Sequence, residues 1–388
     1  MTRLAVLADP HCDDFGSKID PATGLNARWV DTVAMVEWVA RDAQARGADA
    51  LLVLGDLTES RHPAPWRVAQ IGAAIAAFEG PVVLLKGNHD GERAGRSIVD
   101  VLAAGRPTWS AFSADPGLTL VGDVAIASIP YVDRHWLRSQ PGFEQTPDAD
   151  VYRILAEHYL TIARGLYVAA SGVASRTVLA IHQGLAGGNM SDSQRAFLGD
   201  LSLVVDSRAL GAIGFDAILA GHFHLHQVLV DPLRGIGVVG TLAEQMQSLV
   251  VYAGSPYRTD FGEEHQEKGY LIVDVDGPMP AMTFVPTPAR RFVTLTGPQA
   301  EGPSVSGAIV RVLDFPPDGD VAGFRQHLEL MGAFDVQEIR IRRDESPVAA
   351  GGLAESLAPT EALEAYFADH PDRDRLVARG REILEAVR

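Results

Sequence analysis

PVVLLKGNHD, residues 81–90, sets an apolar run directly against a polar tetrad. PVVLL (81–85) reads as a buried strand, because a short continuous apolar run bounded by turn residues fits a strand in a sheet's interior. Gly87-Asn88-His89-Asp90 follows where that strand must end. The same pattern recurs outward along the chain. RLAVLA (3–8) precedes Asp9-Pro10-His11, and DALLVL (49–54) precedes Gly55-Asp56. VLAI (178–181) precedes His182, and FDAILA (215–220) precedes Gly221-His222-Phe223-His224.

Between these runs the apolar spacing is helical. Trp29, Val33, Val36, Ala40 and Ala43 form one stripe, and Val68, Ile71, Ile75 and Phe78 a second. Val151, Ile154, Leu155, Tyr159, Ile162, Leu166 and Tyr167 form a longer third. Further strands are expected at 119–121, 124–128, 249–253 and 270–275. Alternation of strand and helix predicts a layered α/β domain. Residues just past the carboxyl ends of such strands converge on one crevice. Five distant segments can therefore bring Asp, Asn and His side chains together.

Pro278, Pro280, Pro286 and Pro288 punctuate a boundary. The first domain is expected over 1–280. RRFVTLT and VQEIRIRR, with the helix-like GFRQHLEL between them, predict a small α/β module over 289–345. Residues 346–388 read as a linker containing Gly351-Gly352, then a helical tail. The tail's stripes, Leu363/Tyr366/Phe367 and Leu376/Ile383/Leu384/Val387, need a surface to cover them.

The chain has 388 residues, 47% hydrophobic and 21% charged, which excludes wholesale disorder. The single cysteine, Cys12, cannot close an internal disulfide and fits a reducing compartment. The N-terminal apolar run stops at Asp9, too short for a signal peptide, and no run is long enough for a membrane span. A cytoplasmic protein is expected. The net charge of −17 argues against a protein that holds nucleic acid by its overall field. It does not exclude an enzyme of phosphodiesters, because bound cations set the local field.

Asp-x-His alone is commonplace, and Gly-Asp after a strand is ordinary turn chemistry. Gly-Asn-His-Asp and Gly-His-x-His are much rarer, and all five motifs in order, each after a strand, point to a site. Imidazole and carboxylate without thiolate suit Mn²⁺, Fe²⁺ or Zn²⁺. On an extended segment, Asp-x-His and His-x-His place both side chains on one face. A carboxylate can bridge two cations about 3.5–4 Å apart that clamp a phosphoryl group. His62, His135, His158, His265, His327 and His370 lack such context and read as surface or packing residues. His226 shares a face with His224 and either supports the site or packs.

The constellation resembles the calcineurin-like metallophosphoesterase superfamily, whose fold is a layered β-sandwich flanked by helices. By that resemblance Asp9, His11, Asp56 and His224 hold one metal. Asp56, Asn88, His182 and His222 hold the second, with Asp56 bridging. His89 stands outside the metal shell as transition-state stabiliser or proton donor, and Asp90 orients it.

Residues 250–275 resemble, more narrowly, the SbcD/Mre11 nuclease subunits, through Tyr252, Gly254, Ser255, Pro256, Phe261, Glu263 or Glu264, Lys268 and Gly269. The resemblance implies a DNA exo- and endonuclease that uses two divalent ions, most readily Mn²⁺, on DNA ends and hairpins in double-strand break repair. It also implies a capping domain, a homodimer through the helix near 63–79, and a tail that docks on an SbcC/Rad50-like ATPase. Such a protein is nucleoid-associated when on DNA. Ser255 and Arg258 are candidate phosphate contacts, and Arg340 with Arg342 forms a strand face of arginines. Glu59 stands where many relatives have histidine. Gly221-His222-Phe223-His224-Leu225-His226 lacks the Lys/Arg-Pro that often follows. Cys12, beside His11, is either an oxidisable thiol or a small packing residue. The competing reading is a stand-alone phosphodiesterase or phosphatase of small nucleotides. Another is a DNA-bridging subunit with a vestigial metal site, against which the complete ligand set speaks.

Overall fold

The structure, a computed structural model, describes residues 2–91, 97–190, 194, 203–231, 248–277, 279–298, 304–342, 359–368 and 372–386. The first elements are β1 (Arg3–Leu7), α1 (Ala27–Ala45), β2 (Ala50–Leu54), α2 (Pro65–Ile75), β3 (Val82–Leu85), α3 (Ile98–Ala103) and β4 (Trp109–Phe112). Then come β5 (Gly117–Val121), β6 (Val124–Ile129), α4 (Arg134–Ser139), α5 (Val151–Ser171), β7 (Arg176–His182), β8 (Gly184–Leu185) and β9 (Val204–Val205). They are followed by α6 (Ser207–Gly211), β10 (Ala217–Gly221), β11 (Gln227–Val230), β12 (Leu249–Tyr252), β13 (Gly269–Asp274) and β14 (Ala281–Pro286). The remainder comprises β15 (Phe292–Thr296), β16 (Ile309–Phe315), α7 (Val321–Leu330), β17 (Asp335–Ile341), α8 (Pro359–Tyr366) and α9 (Arg373–Ala386).

Two six-stranded sheets form the body, ordered β14-β13-β1-β2-β3-β4 and β11-β12-β10-β7-β6-β5. The central strands β1 to β4 run parallel, as do β12, β10, β7 and β6. Alternate residues of each strand face different layers. Leu4 and Val6 of β1 join Leu52, Leu54, Val178, Leu219 and Val251 in a core between the sheets. Ala5 and Leu7 turn outward against Trp29, Val36, Val39 and Ile71 of the covering helices. Leu155, Tyr159 and Ala163 of α5 cover the other sheet. Burial on both faces is why these strands read as unbroken apolar runs. The result is the expected α/β sandwich flanked by helices.

Parallel pairing puts the carboxyl ends of β1, β2 and β3 on one rim, next to those of β7 and β10. At that rim the sheets nearly touch. A Cβ on Gly221 would lie 2.3 Å from the Leu54 carbonyl, and one on Gly55 would lie 2.4 Å from His182 Nδ1. Gly55 also has φ +86°, so both steric space and backbone conformation require glycine there.

β14 pairs antiparallel with β13 from Ala281 to Pro286, so the sheet runs on past residue 280. The small module carries the two expected strands, β15 and β17, but β16 lies between them and pairs parallel with both. Val293, Val310, Val312, Phe315, Leu328 and Val336 form its core. α8 and α9 form a hairpin in which Gly380 abuts Leu363 and Arg381 pairs with Glu364. The expected linker, 346–357, lies outside the described residues. No helix of the described residues is long and apolar enough to cross a membrane.

Candidate metal centre

The strand ends lace together through backbone bonds. Asp9 N–H donates to the Gly55 carbonyl, His11 N–H to that of Asp56, and Cys12 N–H to that of Leu57. This lacing forces unusual conformations. Asp9 (φ 50°), His11 (φ 37°), Asp56 (φ 51°) and His222 (φ 101°) lie in the left-handed region, with Asp314 the one other non-glycine among the described residues. Such strain persists only where surrounding contacts overdetermine it, and it concentrates at functional sites. The expectation that Asp9 and His11 share the face of an extended segment is therefore corrected. β1 stops at Leu7, and a strained turn delivers both side chains.

Seven predicted ligands meet at the rim. Asp9, His11 and His224 offer ligand atoms within 4.8 Å of one another, as do Asp56, His182 and His222. Asp56 connects the groups: its Oδ2 lies 3.5 Å from His11 Nε2 and 3.3 Å from His182 Nε2. Asn88 Oδ1 lies 3.1 Å from His182 Nε2 and 2.9 Å from His222 Nδ1. His89 reaches His11 and Asp56 closely enough to form a third such group, with its side chain 29% exposed.

Three of the inner histidines are held from behind, whereas the buried His222 Nε2 meets no hydrogen-bond partner among the described residues. His182 Nδ1 lies 2.6 Å from the Leu54 carbonyl, His11 Nδ1 2.8 Å from Glu59 Oε2, and His224 Nδ1 2.6 Å from Glu263 Oε1. Donation of Nδ1–H to these acceptors turns each Nε2 lone pair inward, as in carboxylate–histidine–metal arrangements. The consequence is plain at His11 and His224, whose Nε2 atoms face each other at 3.0 Å. Two lone pairs do not tolerate that approach unless a cation or a proton lies between them. Together with the nitrogen–oxygen donor set, this fits divalent metal ions.

The electrostatics agree. Burial opposes protonation of His11, but Glu59, Asp56 and Asp9 outweigh it and carry the pKa up to about 9. His182 is also opposed by burial, yet the charge and hydrogen bond of Asp56 push it up to about 9. Burial and the neighbouring His182 push His222 down to about 3. Asp56 stays well below the usual carboxylate range, because His182 and His11 outweigh its burial. The carboxylates thus favour positive charge on His11 and His182, whether a proton or a bound cation supplies it.

Asp90 does not orient His89. Its Oδ1 accepts Leu57 N–H at 2.7 Å and its Oδ2 accepts Gly87 N–H at 2.8 Å. It clips the Asp56 loop to the Asn88 loop, and burial with the Asp56 charge pushes its carboxyl up to about 6. The His89 ring is instead held at Nδ1 by the Glu59 carbonyl, 3.0 Å away.

Ser255 and Arg258 are likewise not placed to receive a phosphate. Ser255 is buried, donating to the Tyr257 carbonyl and accepting from Lys268 Nζ. Arg258 spends its guanidinium on the carbonyls of Glu264, Arg290 and Gln266. Their segment is a strap. Glu263 holds His224 and meets Lys268 Nζ at 3.2 Å. The adjacent Glu264 accepts from Thr294 N–H of the small module at 2.8 Å and from its hydroxyl at 2.5 Å. Neighbouring carboxylates thus face opposite ways, one to the site and one to the module.

His226 packs, with its ring stacked on Phe284 at 4.5 Å and Nδ1 against the Tyr252 carbonyl. Cys12 is buried, and burial pushes its thiol up to about 12, so it packs rather than reacts. Arg340 is paired with Glu338. A cleft of about 1060 Å³ opens over the site and is lined beyond the ligands by Glu59, Arg61, Tyr131, His135, Trp136 and Gln140. His135 thus belongs to the cleft wall, which its isolated sequence context did not show. Gln194 also escaped the sequence reading. It donates to the His222 carbonyl at 3.0 Å and accepts from His224 N–H at 3.3 Å.

A family model described as calcineurin-like phosphoesterase matches residues 2–226, more than half of the chain. The chain belongs to the calcineurin-like phosphoesterase family. It is therefore a metal-dependent phosphoesterase of a family that binds two divalent ions. No curated protein matches it. Among solved structures, this phosphoesterase is similar to a dimetal phosphatase from Danio rerio, at 11% identity and TM-score 0.46, over 73% of this chain and 95% of that one. It is similar to TT1561 of Thermus thermophilus, at 12% identity and TM-score 0.40, over 73% and 98%. It is also similar to the purple acid phosphatase PPD1 of yellow lupin (Lupinus luteus) seeds, at 13% identity and TM-score 0.39, over 74% and 51%.

Proposed function

We propose that this phosphoesterase is an SbcD/Mre11-type nuclease subunit that hydrolyses DNA phosphodiesters with Mn²⁺. The observation that carries this reading is the Tyr252–Gly269 strap. It holds a metal-facing histidine through Glu263 and a second module through Glu264. A site for a small ester needs no tie to a neighbouring module, whereas a polymer that extends past the cleft meets both.

Asp9, His11, Asp56 and His224 would hold one ion, and Asp56, Asn88, His182 and His222 the other. Bound there, two divalent ions neutralise a phosphodiester and supply a nucleophilic water at neutral pH. The chain's own groups do the rest. His89 is anchored at Nδ1 by the Glu59 carbonyl, and its imidazolium Nε2–H donates a proton to the leaving oxygen as the P–O bond breaks. Asp90 keeps the Asp56 and Asn88 loops in register. Arg61 on the cleft wall adds positive charge near the phosphate backbone.

With a net charge of −17, the subunit alone would hold DNA weakly, and an SbcC/Rad50-like ATPase would supply most of the binding surface. Tyr366 of α8, 74% exposed, supports a partner surface on the tail. Trp66 at the start of α2, 43% exposed, supports a homodimer through that helix.

The test is cleavage of end-labelled linear and hairpin DNA with Mn²⁺, by wild type and His89→Gln, beside a small chromogenic phosphodiester. DNA cleavage that His89→Gln abolishes is the expected result. Turnover of the small ester without DNA cleavage, even with an SbcC-like ATPase added, would replace the nuclease with a small-nucleotide phosphodiesterase.

A further inference from the structure

We propose that Glu59 is a positioning residue that sets the orientation of two functional imidazoles, His11 through its carboxylate and His89 through its backbone carbonyl. Glu59 Oε2 lies 2.8 Å from His11 Nδ1, and the Glu59 carbonyl oxygen lies 3.0 Å from His89 Nδ1. The two rings also touch edge to face, with centroids 5.1 Å apart. One residue therefore spans the ligand and the proton donor.

The geometry assigns it a definite task. The His11 ring is buried, and of its two nitrogens Nε2 faces His224 and Asp56. A neutral imidazole presents its lone pair to a metal only if its other nitrogen carries the proton and finds an acceptor. Glu59 is that acceptor. Without it the ring can take the opposite tautomer or rotate, and either change removes a nitrogen from the metal site. Glu263 performs the same task for His224 from inside the strap. Glu59 differs because its side chain is 47% exposed and lines the cleft. Its carboxylate also stands 3.6 Å from His89 Nδ1, so it borders the space where a leaving group must sit.

The backbone of this turn is held independently of the side chain. Cys12 N–H donates to the Leu57 carbonyl, and Thr58 Oγ1 to that of Ser60. Replacing the Glu59 side chain thus removes the carboxylate without releasing the loop. The inference concerns the phosphoesterase site and holds whether or not DNA is the substrate.

The test uses the full chain, Mn²⁺ alone and a chromogenic phosphodiester, with Glu59→Ala and Glu59→Gln. Free Mn²⁺ is read by electron paramagnetic resonance during titration. Glu59→Ala should weaken the tighter Mn²⁺ site by about 10–100-fold, the cost of losing such a partner. Glu59→Gln keeps an oxygen acceptor and should restore affinity to within a few-fold of wild type. At saturating Mn²⁺ the Ala variant should lose kcat on the diester and keep KM. A folded Glu59→Ala that binds Mn²⁺ as tightly as wild type overturns the proposal, and so does a Gln variant as weak as Ala. Failure to cut DNA with normal Mn²⁺ binding in wild type would count against the nuclease reading alone.

Discussion

His11 and His224 are 213 residues apart in the chain, and their Nε2 atoms lie 3.0 Å apart at the rim of the sandwich. Both rings have their Nδ1 atoms tied to carboxylates, Glu59 and Glu263. A proton or a cation must sit between the facing nitrogens, and the two compete.

That competition gives a pH dependence. His11 and His182 in the metal-free protein titrate at about 9, above the ordinary histidine value. Protons on these ligands compete with the metal, so Mn²⁺ binding should release protons. Calorimetry in buffers of different ionisation enthalpy measures the number, and apparent affinity should rise with pH until about 9. The linkage to stability has a definite sign. A raised folded-state pKa gives stabilisation that is full below the unfolded value near 6.5 and is lost as pH rises to about 9. Metal-free protein should therefore melt at lower temperature at pH 9 than at pH 6.5.

Glu263 is fully buried between His224 and Lys268. Glu263→Gln keeps the shape and an acceptor for His224 but leaves the Lys268 charge uncompensated. Mn²⁺ affinity should stay within a few-fold of wild type, because an oxygen acceptor for His224 remains. The melting temperature should fall, since breaking a buried ion pair from one side costs about 3–5 kcal/mol.

His89→Gln should reduce kcat by about 10²–10⁴-fold, the usual contribution of a general acid, while Mn²⁺ binding persists. The loss should be smaller on diesters whose leaving group is already acidic. Equal losses on good and poor leaving groups would remove the proton-donor role.

Among the described residues Asp90 accepts two backbone amides and no imidazole. Asp90→Ala should therefore act on stability first, by about 1–3 kcal/mol for each buried amide left unpaired. Thermal or urea unfolding measures that cost.

Gly221→Ala would drive a methyl group into the Leu54 carbonyl, 2.3 Å away, and close to His182 Nδ1 at 3.0 Å. Backbone cannot yield as a side chain can, so the overpacking should cost at least about 1–3 kcal/mol. Activity should fall too, because His182 and His222 flank the contact.

Much of this protein is legible along the chain because its strands are local objects. Val82–Leu85 and Ala217–Gly221 are apolar throughout, since the sandwich core takes one face of each strand and helices the other. The motifs that follow them are legible for the same reason: parallel strands end on one rim. β16 had no such unbroken signal, because IVRVLDF is interrupted by Arg311, half-buried over the Phe261 ring, and by the exposed Asp314. Contacts between segments are another matter. That Glu263 rather than Glu264 holds His224, that Asp90 clips loops instead of orienting His89, and that Arg258 is consumed by carbonyls all follow from the path of the strap and the approach of two sheet ends. Residue types name the chemistry a group can perform. Only three-dimensional packing decides which partner each carboxylate, imidazole and guanidinium meets, because hydrogen bonds act over about 3 Å and take no account of sequence separation.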